Sequence, residues 1–468
     1  METTNTTPQR ERHEAMMNTL GNRSRAVWRC AIGTMAVLAV ASVIACGDML
    51  KVEDPQTFSD TDLDDPAILP AVSNGVEGQF QQVLDDVVAS TALLSDEVIN
   101  SSTWIDWADI STGRLTGDWP TTGMTWAAAQ DEMLRTRFSA QHAAARITRV
   151  LGETEANKSR LMAQVKVYEA WADLILGMAY CESPLLPGGP RAPDTELYKQ
   201  AVTKFTAALT VAQAAPAPTG SETDWVAFAR AGRARANLLA GNYDAALADA
   251  QSVPAGFLKQ AVYSVNSQTS IVGNQFHYNR NRSGGLHKNY WARVDTTGNN
   301  APNPVQYVQD SWSGLNDTRM AVSHPRGRLG VDNSTLHYGI QKYSNYENPI
   351  TITSKREMNL IEAEVQWRKD NYPAAIEALN RNRTANPGPN LPAFDATGLT
   401  KQDVLDRLLS ERFAELFVEG HRMTDLDRFD LVTSKLGPGR ARKLPLSRNE
   451  ILNNTSMKQN EASCPKIS

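Results

Sequence analysis

Residues 411–429 read Glu-Arg-Phe-Ala-Glu-Leu-Phe-Val-Glu-Gly-His-Arg-Met-Thr-Asp-Leu-Asp-Arg-Phe, and this stretch near the end of the 468-residue chain decides the fold. Apolar side chains recur at helical spacing here and just before it, which predicts an amphipathic helix with one buried face. These side chains are Leu405, Leu408, Leu409, Phe413, Leu416 and Phe417. We expect Gly420 to end the helix in the left-handed conformation and Asp425 to cap a short following turn.

A second motif follows at residues 443–451, Lys-Leu-Pro-Leu-Ser-Arg-Asn-Glu-Ile, and predicts an extended segment around Pro445. Together the two motifs resemble the C-terminal signature of the SusD/RagB family, roughly E-R-x-x-E-L-x-x-E-G-x-R-x-x-D-L and later P-I-P-x-x-E-I. The matching residues are Glu411, Arg412, Glu415, Leu416, Glu419, Gly420, Arg422, Asp425 and Leu426, then Pro445, Asn449, Glu450 and Ile451.

Members of that family are outer-membrane lipoproteins that capture nutrients, often glycans, for a TonB-dependent channel. The resemblance therefore implies a mainly α, SusD-like fold of interrupted tetratricopeptide-type helical pairs, with a loop-rich ligand lobe of short strands. It further implies a SusC-like TonB-dependent channel as partner, a glycan or other oligomeric nutrient as ligand, and no cofactor. The resemblance does not name the ligand.

The N-terminus predicts export and lipidation. Residues 31–45 carry no charge and follow three arginines, a layout typical of a secretory signal and too short for a comfortable membrane span. The run ends in Val-Ile-Ala before Cys46, which resembles a bacterial lipobox, so we expect cleavage before Cys46 and lipidation of its thiol. Gly47 follows, and transfer to the outer membrane is therefore expected. The alternative is an uncleaved membrane anchor.

Composition fits a large secreted globular protein. Removing residues 1–45 takes away five of the 47 basic and three of the 52 acidic residues, which leaves a net charge of −7. This mild acidity, without a Lys/Arg run, argues against nucleic acid as a partner. Of the four cysteines, Cys181 and Cys464 remain after export and lipidation. Their pairing stays open, although their long separation favours free thiols.

Two helical pairs repeat at a distance of 129 residues. Ala234, Gly241, Tyr243 and Ala246 correspond to Ala363, Asp370, Tyr372 and Ala375. Each set predicts two helices joined by a tight Asn-Tyr turn, with alanines where the helices approach closely, as in a tetratricopeptide unit. We expect a third pair in residues 160–180 and 198–208, joined by a loop, and a weaker fourth pair in residues 76–94 and 126–151.

These patterns divide the chain into five parts. Residues 1–45 are the predicted lipoprotein signal, and residues 46–75 an extended leader. Residues 76–263 are helical repeats with inserted loops, residues 264–350 are rich in loops, and residues 351–468 combine a helical repeat with the C-terminal motifs.

Two loop segments supply the side chains that sugars require, which are flat apolar rings, amides and carboxylates. The first segment is residues 95–125 and the second is residues 264–350. The candidate ligand-binding residues are Asn100, Trp104, Asp106 and Trp107 in the first loop, and Tyr290, Trp291 and Trp312 in the second. We expect Trp104 and Trp107 to form a platform for sugar stacking, with Asp106, Asp109 or Arg114 binding hydroxyls. The second segment is expected to close over the same face.

The sequence favours a binding protein over an enzyme. Glu411, Glu415 and Glu419 are predicted to share one helix face, but we expect Glu411 and Glu415 to pair with Arg412, Arg422 or an arginine elsewhere in the fold, and Arg407 is four residues before Glu411. The sequence contains no recognisable nucleophile constellation, phosphate loop or metal motif. Two alternatives remain: a helical surface hydrolase, which needs only two carboxylates across a cleft, and a periplasm-facing scaffold that binds peptides through its repeats.

Overall fold

The computed structural model of the chain describes residues 60, 62–115, 125–264, 282–297 and 301–457. The chain consists of two units, residues 1–63 and residues 64–468. The first unit is described only at residues 60, 62 and 63. Cys46 and the predicted signal lie outside the described residues, as do half of the predicted leader (residues 46–59 and 61) and Cys464.

The described part of the second unit contains fourteen α-helices. In chain order they are α1 (Leu69–Leu94), α2 (Ile105–Thr112), α3 (Thr125–Leu151), α4 (Glu153–Ala156), α5 (Arg160–Ala179), α6 (Asp194–Ala214), α7 (Trp225–Leu239), α8 (Tyr243–Ser252), α9 (Lys355–Arg368), α10 (Tyr372–Arg383), α11 (Lys401–Glu415), α12 (Arg422–Arg428), α13 (Val432–Leu436) and α14 (Arg448–Asn453). The prediction of a mainly α fold is confirmed.

The helices pack as four successive pairs, α1 with α3, α5 with α6, α7 with α8, and α9 with α10. The interior of the first three pairs is aromatic, and Trp171 of α5 stacks on Phe228 of α7 with ring centroids 5.3 Å apart. The pairs are interrupted because α2 lies between the helices of the first pair and a β-hairpin between those of the second. Burying such apolar faces is the main stabilising term of a helical scaffold.

The 129-residue repeat is confirmed in atomic detail. The alanines Ala234, Ala246, Ala363 and Ala375 are all fully buried. The turns also match, because the residues before the two asparagines, Gly241 and Asp370, have φ of 81° and 58°. In each turn the Asn backbone N–H donates to the carbonyl oxygen five residues earlier, at 2.8 Å in the first turn and 2.9 Å in the second.

The described part of this unit also contains nine short strands and a 3₁₀-helix, Lys288–Arg293. The strands are β1 (Val98–Asn100), β2 (Glu182–Pro184), β3 (Arg191–Pro193), β4 (Leu258–Ala261), β5 (Gly284–Leu286), β6 (Gln306–Gln309), β7 (Asn316–Ser323), β8 (Gly339–Ile340) and β9 (Ile350–Ser354). They form antiparallel pairs β1–β5, β2–β3 and β4–β9, and a three-stranded sheet in the order β6–β7–β8. The sheets are small, so these strands position loops and do not form a separate sheet core.

The helix of the C-terminal motif ends earlier than its apolar pattern predicts. Helix α11 stops at Glu415, and Val418 takes a φ of 50°, outside the helical region. Tertiary hydrogen bonds replace the helical ones, because the Val418 N–H donates to Glu97 Oε1 at 2.6 Å and its carbonyl accepts from the Tyr343 hydroxyl at 2.9 Å. Gly420 does adopt the predicted left-handed conformation, with φ of 81°.

Asp425 does not cap a turn as predicted. It lies inside α12, where its carboxylate accepts two hydrogen bonds from Arg412 at 2.8 Å and one from Arg428 at 2.8 Å. Both Arg412 and Asp425 are buried. A buried guanidinium needs a carboxylate partner, and this requirement outweighs the local preference of aspartate for a cap.

Cys181 is not a free thiol, and the expectation that favoured free thiols is wrong for this residue. Cys181 is disulfide-bonded. Its partner lies outside the described residues, where the other three cysteines of the sequence are found.

Candidate functional site

The candidate site is formed where the first loop segment meets the second. Strands β1 and β5 pair antiparallel, with Val98 opposite Leu286 and Asn100 opposite Gly284. The ladder continues past the strands, since the Ser101 N–H donates to the Ser283 carbonyl at 2.8 Å. Residues 98–104 and 282–287, which are far apart in sequence, therefore lie side by side.

Trp104 presents the exposed aromatic surface of this region. It precedes α2 and is 40% exposed, whereas Trp107, one turn further on, is only 3% exposed. The two indoles meet edge to face, with centroids 5.5 Å apart and planes at 82°. The predicted platform of two exposed indoles is thus corrected to one exposed ring supported by a buried ring.

Trp107 is buried against a glycine of the neighbouring strand. A Cβ added to Gly284 would lie 3.2 Å from a ring carbon of Trp107, so the ring packs directly on the backbone of β5. This close approach fixes Trp107 and, through it, the exposed ring of Trp104. A rigid aromatic surface is what stacking on a sugar face requires.

A third segment, residues 328–337, lies beside residues 98–104 and 282–287. We call the edge that these three segments form around Trp104 the rim. The Asp332 N–H donates to the Ser101 carbonyl at 3.0 Å, and the Val331 N–H donates to the Arg282 carbonyl at 2.9 Å. Val331 is 42% exposed and Ile105 is 74% exposed. The rim therefore combines an exposed indole with exposed aliphatic side chains.

Asn100 and Asp106 shape the loop that holds Trp104. The Asn100 Oδ1 accepts hydrogen bonds from the Ser102 N–H at 3.0 Å and from its hydroxyl at 2.7 Å. The Asp106 Oδ1 accepts from the Trp107 N–H at 2.9 Å, at the first turn of α2. Both side chains make local turn contacts, and this part of the loop is rigid as a result.

Tyr290 and Trp291 pack behind the candidate site and support it. Tyr290 stacks on Phe413 with centroids 4.4 Å apart, and its hydroxyl donates to Asp96 at 2.9 Å. Trp291 stacks on Tyr338 and donates its indole N–H to the Leu286 carbonyl at 2.7 Å. Both rings are half-buried, and burial raises the pKa of Tyr290 above its ordinary value. The structure thus places them behind β5 and on the C-terminal motif.

Trp312 lies away from the other candidate residues. It sits in the turn between β6 and β7, at the Asn316 end of β7, whereas β8 pairs with the Ser323 end. The eight residues of β7 separate these ends by roughly 20–25 Å at about 3.4 Å per residue. The Leu286 N–H of β5 donates to the carbonyl of Tyr338, which directly precedes β8. Strand β5, beside which Trp104 lies, is therefore near the Ser323 end of β7. The structure thus does not bring Trp312 to Trp104.

Trp312 forms its own small aromatic surface. It is 43% exposed, and the guanidinium carbon of Arg407 lies 4.3 Å from its ring centroid. Phe394 meets the ring edge to face at 6.0 Å. The contact with Arg407 is a cation–π interaction, so one face of this indole is already occupied.

Buried charges that sequence reasoning missed tie this loop to the C-terminal motif. Arg422 donates two hydrogen bonds to Asp96, and both residues are buried. Next to them, Glu97 accepts from the Val418 N–H and its own carbonyl accepts from the His287 N–H at 3.0 Å. The available signal was the adjacent Asp-Glu pair before an aromatic loop, together with an arginine two residues after Gly420.

These buried groups have shifted pKa values. Burial raises the pKa of Glu97 to about 8. Burial opposes ionisation of Asp96, but the adjacent Arg422 outweighs it and the pKa of Asp96 is lowered. Burial lowers the pKa of His287 to about 4, although Asp96 acts in the opposite direction. At neutral pH, Asp96 is therefore ionised, Glu97 is mostly protonated and His287 is neutral.

Glu411 and Glu415 are paired with arginines, as predicted, and Glu419 pairs with a lysine. Glu411 binds Arg383 at 2.7 Å and Arg319 at 2.8 Å. Glu415 binds Arg319 at 3.1 Å and Arg356 at 3.0 Å, and Glu419 binds Lys342 at 2.8 Å. All of these partners come from elsewhere in the fold, and Arg407, four residues before Glu411, turns to Trp312 instead.

Two further features concern the described residues as a whole. No group of three or more His, Cys, Asp or Glu side chains among them is arranged to hold a metal ion. Of the helices in the described part of the chain, none combines the length and the apolar composition that crossing a membrane requires.

An open groove of about 750 Å³ lies between the second helix of the third pair and the first helix of the fourth pair. Tyr243, Trp367, Arg368 and Lys401 are among its lining residues. The Arg368 guanidinium lies 4.7 Å from the Tyr243 ring centroid, and the Lys401 amine lies 5.3 Å from that of Trp367. This groove lies at the turns of the repeats and is separate from the Trp104 rim.

Comparison with known proteins identifies the fold. The profile of the SusD family matches residues 283–463. No curated protein sequence matches the chain. Three solved structures illustrate the similarity. A SusD-like carbohydrate binding protein from Bacteroides vulgatus is 16% identical, with 78% of this chain and 83% of that chain covered and a TM-score of 0.58.

A SusD-like protein from Bacteroides fragilis is 13% identical, with coverage of 86% and 98% and a TM-score of 0.62. A laminarin binding SusD-like protein is 16% identical, with coverage of 85% and 99% and a TM-score of 0.56. These structures share the fold over most of the chain, and the family profile covers both C-terminal motifs. The chain therefore has a SusD-like fold, and its residues 283–463 match the SusD family.

Proposed function

We propose that this protein is a surface lipoprotein that captures a glycan and delivers it to a TonB-dependent channel in the outer membrane. The observation that carries the proposal is the exposed indole of Trp104, mounted on the buried Trp107. An aromatic ring with a fixed orientation stacks on the C–H face of a pyranose. Two structural neighbours named for carbohydrate and for laminarin binding support the same ligand class.

The proposed site is the rim formed by residues 98–106, 282–287 and 328–337. Trp104 supplies the stacking surface, and the adjacent loops supply backbone and side-chain polar groups for hydroxyls. A single stacking contact contributes about 1 kcal/mol, or about fivefold in Kd. Useful affinity therefore requires several contacts along an oligosaccharide.

The test compares two exposed tryptophans at separate places. Trp104→Ala and Trp312→Ala are made in the full chain and run in native gels that contain a polysaccharide, from a panel that includes laminarin. We expect Trp104→Ala to lose retardation by the polysaccharide that retards the parent, and Trp312→Ala to keep it. Equal retardation of parent and Trp104→Ala would move the site elsewhere. Trp107 is left intact because its burial makes it necessary for folding.

We further propose binding without turnover. The three glutamates of the C-terminal motif are paired with arginine or lysine, which suits a structural role better than proton transfer. The purified protein should release no reducing ends from the polysaccharide that retards it. Release of such ends, abolished in a carboxylate variant, would favour the surface-hydrolase alternative.

The proposed partner is a SusC-like channel, with the protein held at the outer membrane by a lipid on Cys46. Solubilising outer membranes in mild detergent and purifying the tagged protein should recover a large barrel protein with it. Recovery of the lipidated protein alone would contradict the partnership.

The groove between the repeats favours a second candidate function, the binding of peptides by a scaffold lipoprotein. Its aromatic lining suits an extended peptide segment, and the cations beside the rings are already paired, Lys369 with Asp244 and Lys401 with Asp370. Trp367→Ala distinguishes the candidates, because it should leave polysaccharide retardation unchanged if the Trp104 rim is the glycan site. Capture of members of a peptide library by the parent and not by Trp367→Ala would favour the second function.

A further inference from the structure

A small cavity lies where five helices meet beside the C-terminal motif. Its volume is about 10 Å³, and its walls come from α5, α7, α9, α11 and α12. A space of this size holds one water-sized species. The cavity shares no lining residue with the Trp104 rim, so its occupant is independent of glycan binding.

Two buried arginines bring surplus donors to this cavity, and each is only 4% exposed. Arg412 donates from Nε and Nη2 to Asp425, both at 2.8 Å, and its Nη1 is buried with no acceptor among the described residues. Arg235 donates from Nε and Nη2 to Glu357, both at 2.6 Å, while its Nη1 meets the Met178 sulfur at 4.0 Å. A thioether sulfur is a weak acceptor, so both Nη1 groups call for a better one.

The polar groups around these arginines already bind other donors and acceptors. Glu357 also accepts from the Thr353 hydroxyl at 2.7 Å, and Asp425 also accepts from Arg428 at 2.8 Å. The Thr424 hydroxyl, on the cavity wall, donates to the Met178 carbonyl at 3.2 Å. An acceptor inside the cavity would therefore complete the hydrogen bonding of the two Nη1 groups.

Positive charge exceeds negative charge in this cluster. Arg428 binds Glu364 as well as Asp425, and Arg368 binds the same Glu364 at 2.8 Å. Four guanidinium groups thus share three carboxylates, namely Arg235, Arg368, Arg412 and Arg428 with Glu357, Glu364 and Asp425.

His421, which also lines the cavity, adds no charge at neutral pH. Burial lowers the pKa of His421 well below its ordinary value, and the charges of Arg235, Arg412 and Lys342 act in the same direction. The imidazole is therefore neutral, and the charges that act on it are positive. A site with this potential favours an anion.

We propose that the cavity binds one chloride ion, held by the Nη1 groups of Arg412 and Arg235. A halide accepts hydrogen bonds and donates none, which matches a wall with surplus donors. An anion leaves water at low cost only where a positive charge and hydrogen-bond donors replace its hydration, and the extra guanidinium supplies that charge here. A water molecule would bring no charge to balance it.

The ion joins the C-terminal motif to the helical repeats. Arg412 belongs to the motif on α11, and Arg235 lies on α7 in the third helical pair. Because the folded chain alone presents both donors, chloride should stabilise the folded state by mass action. This dependence on a halide goes beyond the proposed capture of a glycan.

Crystals of the wild-type protein grown in sodium bromide test the site directly, because bromide replaces chloride and scatters anomalously. We expect an anomalous peak in contact with Arg412 Nη1 and Arg235 Nη1. Density there without an anomalous signal would be a water molecule and would overturn the proposal. Bromide found only at the protein surface would also overturn it.

Thermal unfolding tests the same site in solution. Midpoints are compared in sodium chloride and in sodium acetate at equal ionic strength, since acetate is too large for the cavity. The rise with chloride should saturate, and it should reach about 1–2 °C at a tenfold excess over Kd for a chain of this size. Equal midpoints in the two salts would overturn the proposal.

A pair of matched variants assigns the effect to the cavity. Arg412→Lys keeps a positive charge beside Asp425 but removes Nη1, so the difference between the two salts should disappear. Arg442→Lys makes the same change at the surface and should keep it. A full chloride effect in Arg412→Lys would overturn the assignment, and the bromide crystals of the wild-type protein decide the question if that variant does not fold.

Discussion

Arg422 and Asp96 are joined by two hydrogen bonds, 2.6 Å from Nε and 2.8 Å from Nη2, although 326 residues separate them in the chain. One belongs to the C-terminal motif, and the other begins the loop that carries Trp104. Arg422 also lies over the Phe413 ring, at 4.9 Å from its centroid, on which Tyr290 stacks. The C-terminal motif, which lies in the segment that matches the SusD family, thus holds the rim of the candidate ligand site.

The first prediction concerns this ion pair. Arg422→Ala should lower the free energy of unfolding by about 3–5 kcal/mol, because it leaves the buried carboxylate of Asp96 without its partner. Arg442→Ala is the control, since Arg442 is 45% exposed and pairs with Asp427 and Asp430 at the surface, where the loss should stay within about 1 kcal/mol. Urea unfolding measures both, and equal losses would contradict the prediction.

The second prediction concerns the helical repeat. Ala246→Leu or Ala375→Leu should destabilise the protein by about 1–3 kcal/mol, because both alanines are fully buried and added methylenes have no space there. Ala248→Leu is the matched control for Ala246→Leu, because Ala248 lies on the same helix, α8, with its side chain exposed. Thermal midpoints that match the parent in both buried variants would mean that these positions are not close crossings.

The third prediction concerns pH. Burial raises the pKa of Glu97 from 4.5 to about 8. Between these values the unfolded chain releases the proton and the folded chain keeps it, so stability falls by up to about 1.4 kcal/mol per pH unit as pH rises. Below pH 4.5 both states are protonated and the effect vanishes.

Glu97→Gln removes this titration and retains an acceptor for the Val418 N–H. Urea unfolding at pH 5, 6, 7 and 8 should show the variant gaining stability relative to the parent as pH rises. Glu377→Gln, at a side chain that is 78% exposed, should show no such trend. A stability difference between the parent and Glu97→Gln that does not change with pH would refute the raised pKa.

The fourth prediction concerns the lipid. The wild-type protein should partition into detergent, because the acyl chains on Cys46 bury in the membrane. Cys46→Ala should remain a precursor or enter the aqueous phase. Cys464→Ser keeps the lipobox and should still partition into detergent. Mass spectrometry that finds an unmodified Cys46 in the mature protein would exclude the anchor.

Local and repeated features were the most predictable from sequence. Apolar spacing predicted the helical pairs. The repeat predicted the buried alanines and the Asn-Tyr turns, because each repeat unit lies within one continuous stretch of about 20 residues. Gly420 was predictable because its conformation depends on its own missing Cβ. Helix boundaries were less predictable from the sequence. Helix α11 ends at Glu415, and the Val418 N–H beyond it donates to Glu97 across the fold, a contact that no local sequence pattern contains.

The sequence by itself determined the helical scaffold and the resemblance to the SusD/RagB family, since helical periodicity, close-packed alanines and the ordered C-terminal motif are properties of short stretches. Only the tertiary structure decided which aromatic rings face solvent. Trp104 and Trp107 stand in the same polar segment, yet one is exposed and the other is buried against Gly284 of β5. The tertiary structure also decided that Arg422 pairs with Asp96. A buried charge pairs with the opposite charge that is nearest in space, which need not be near in sequence.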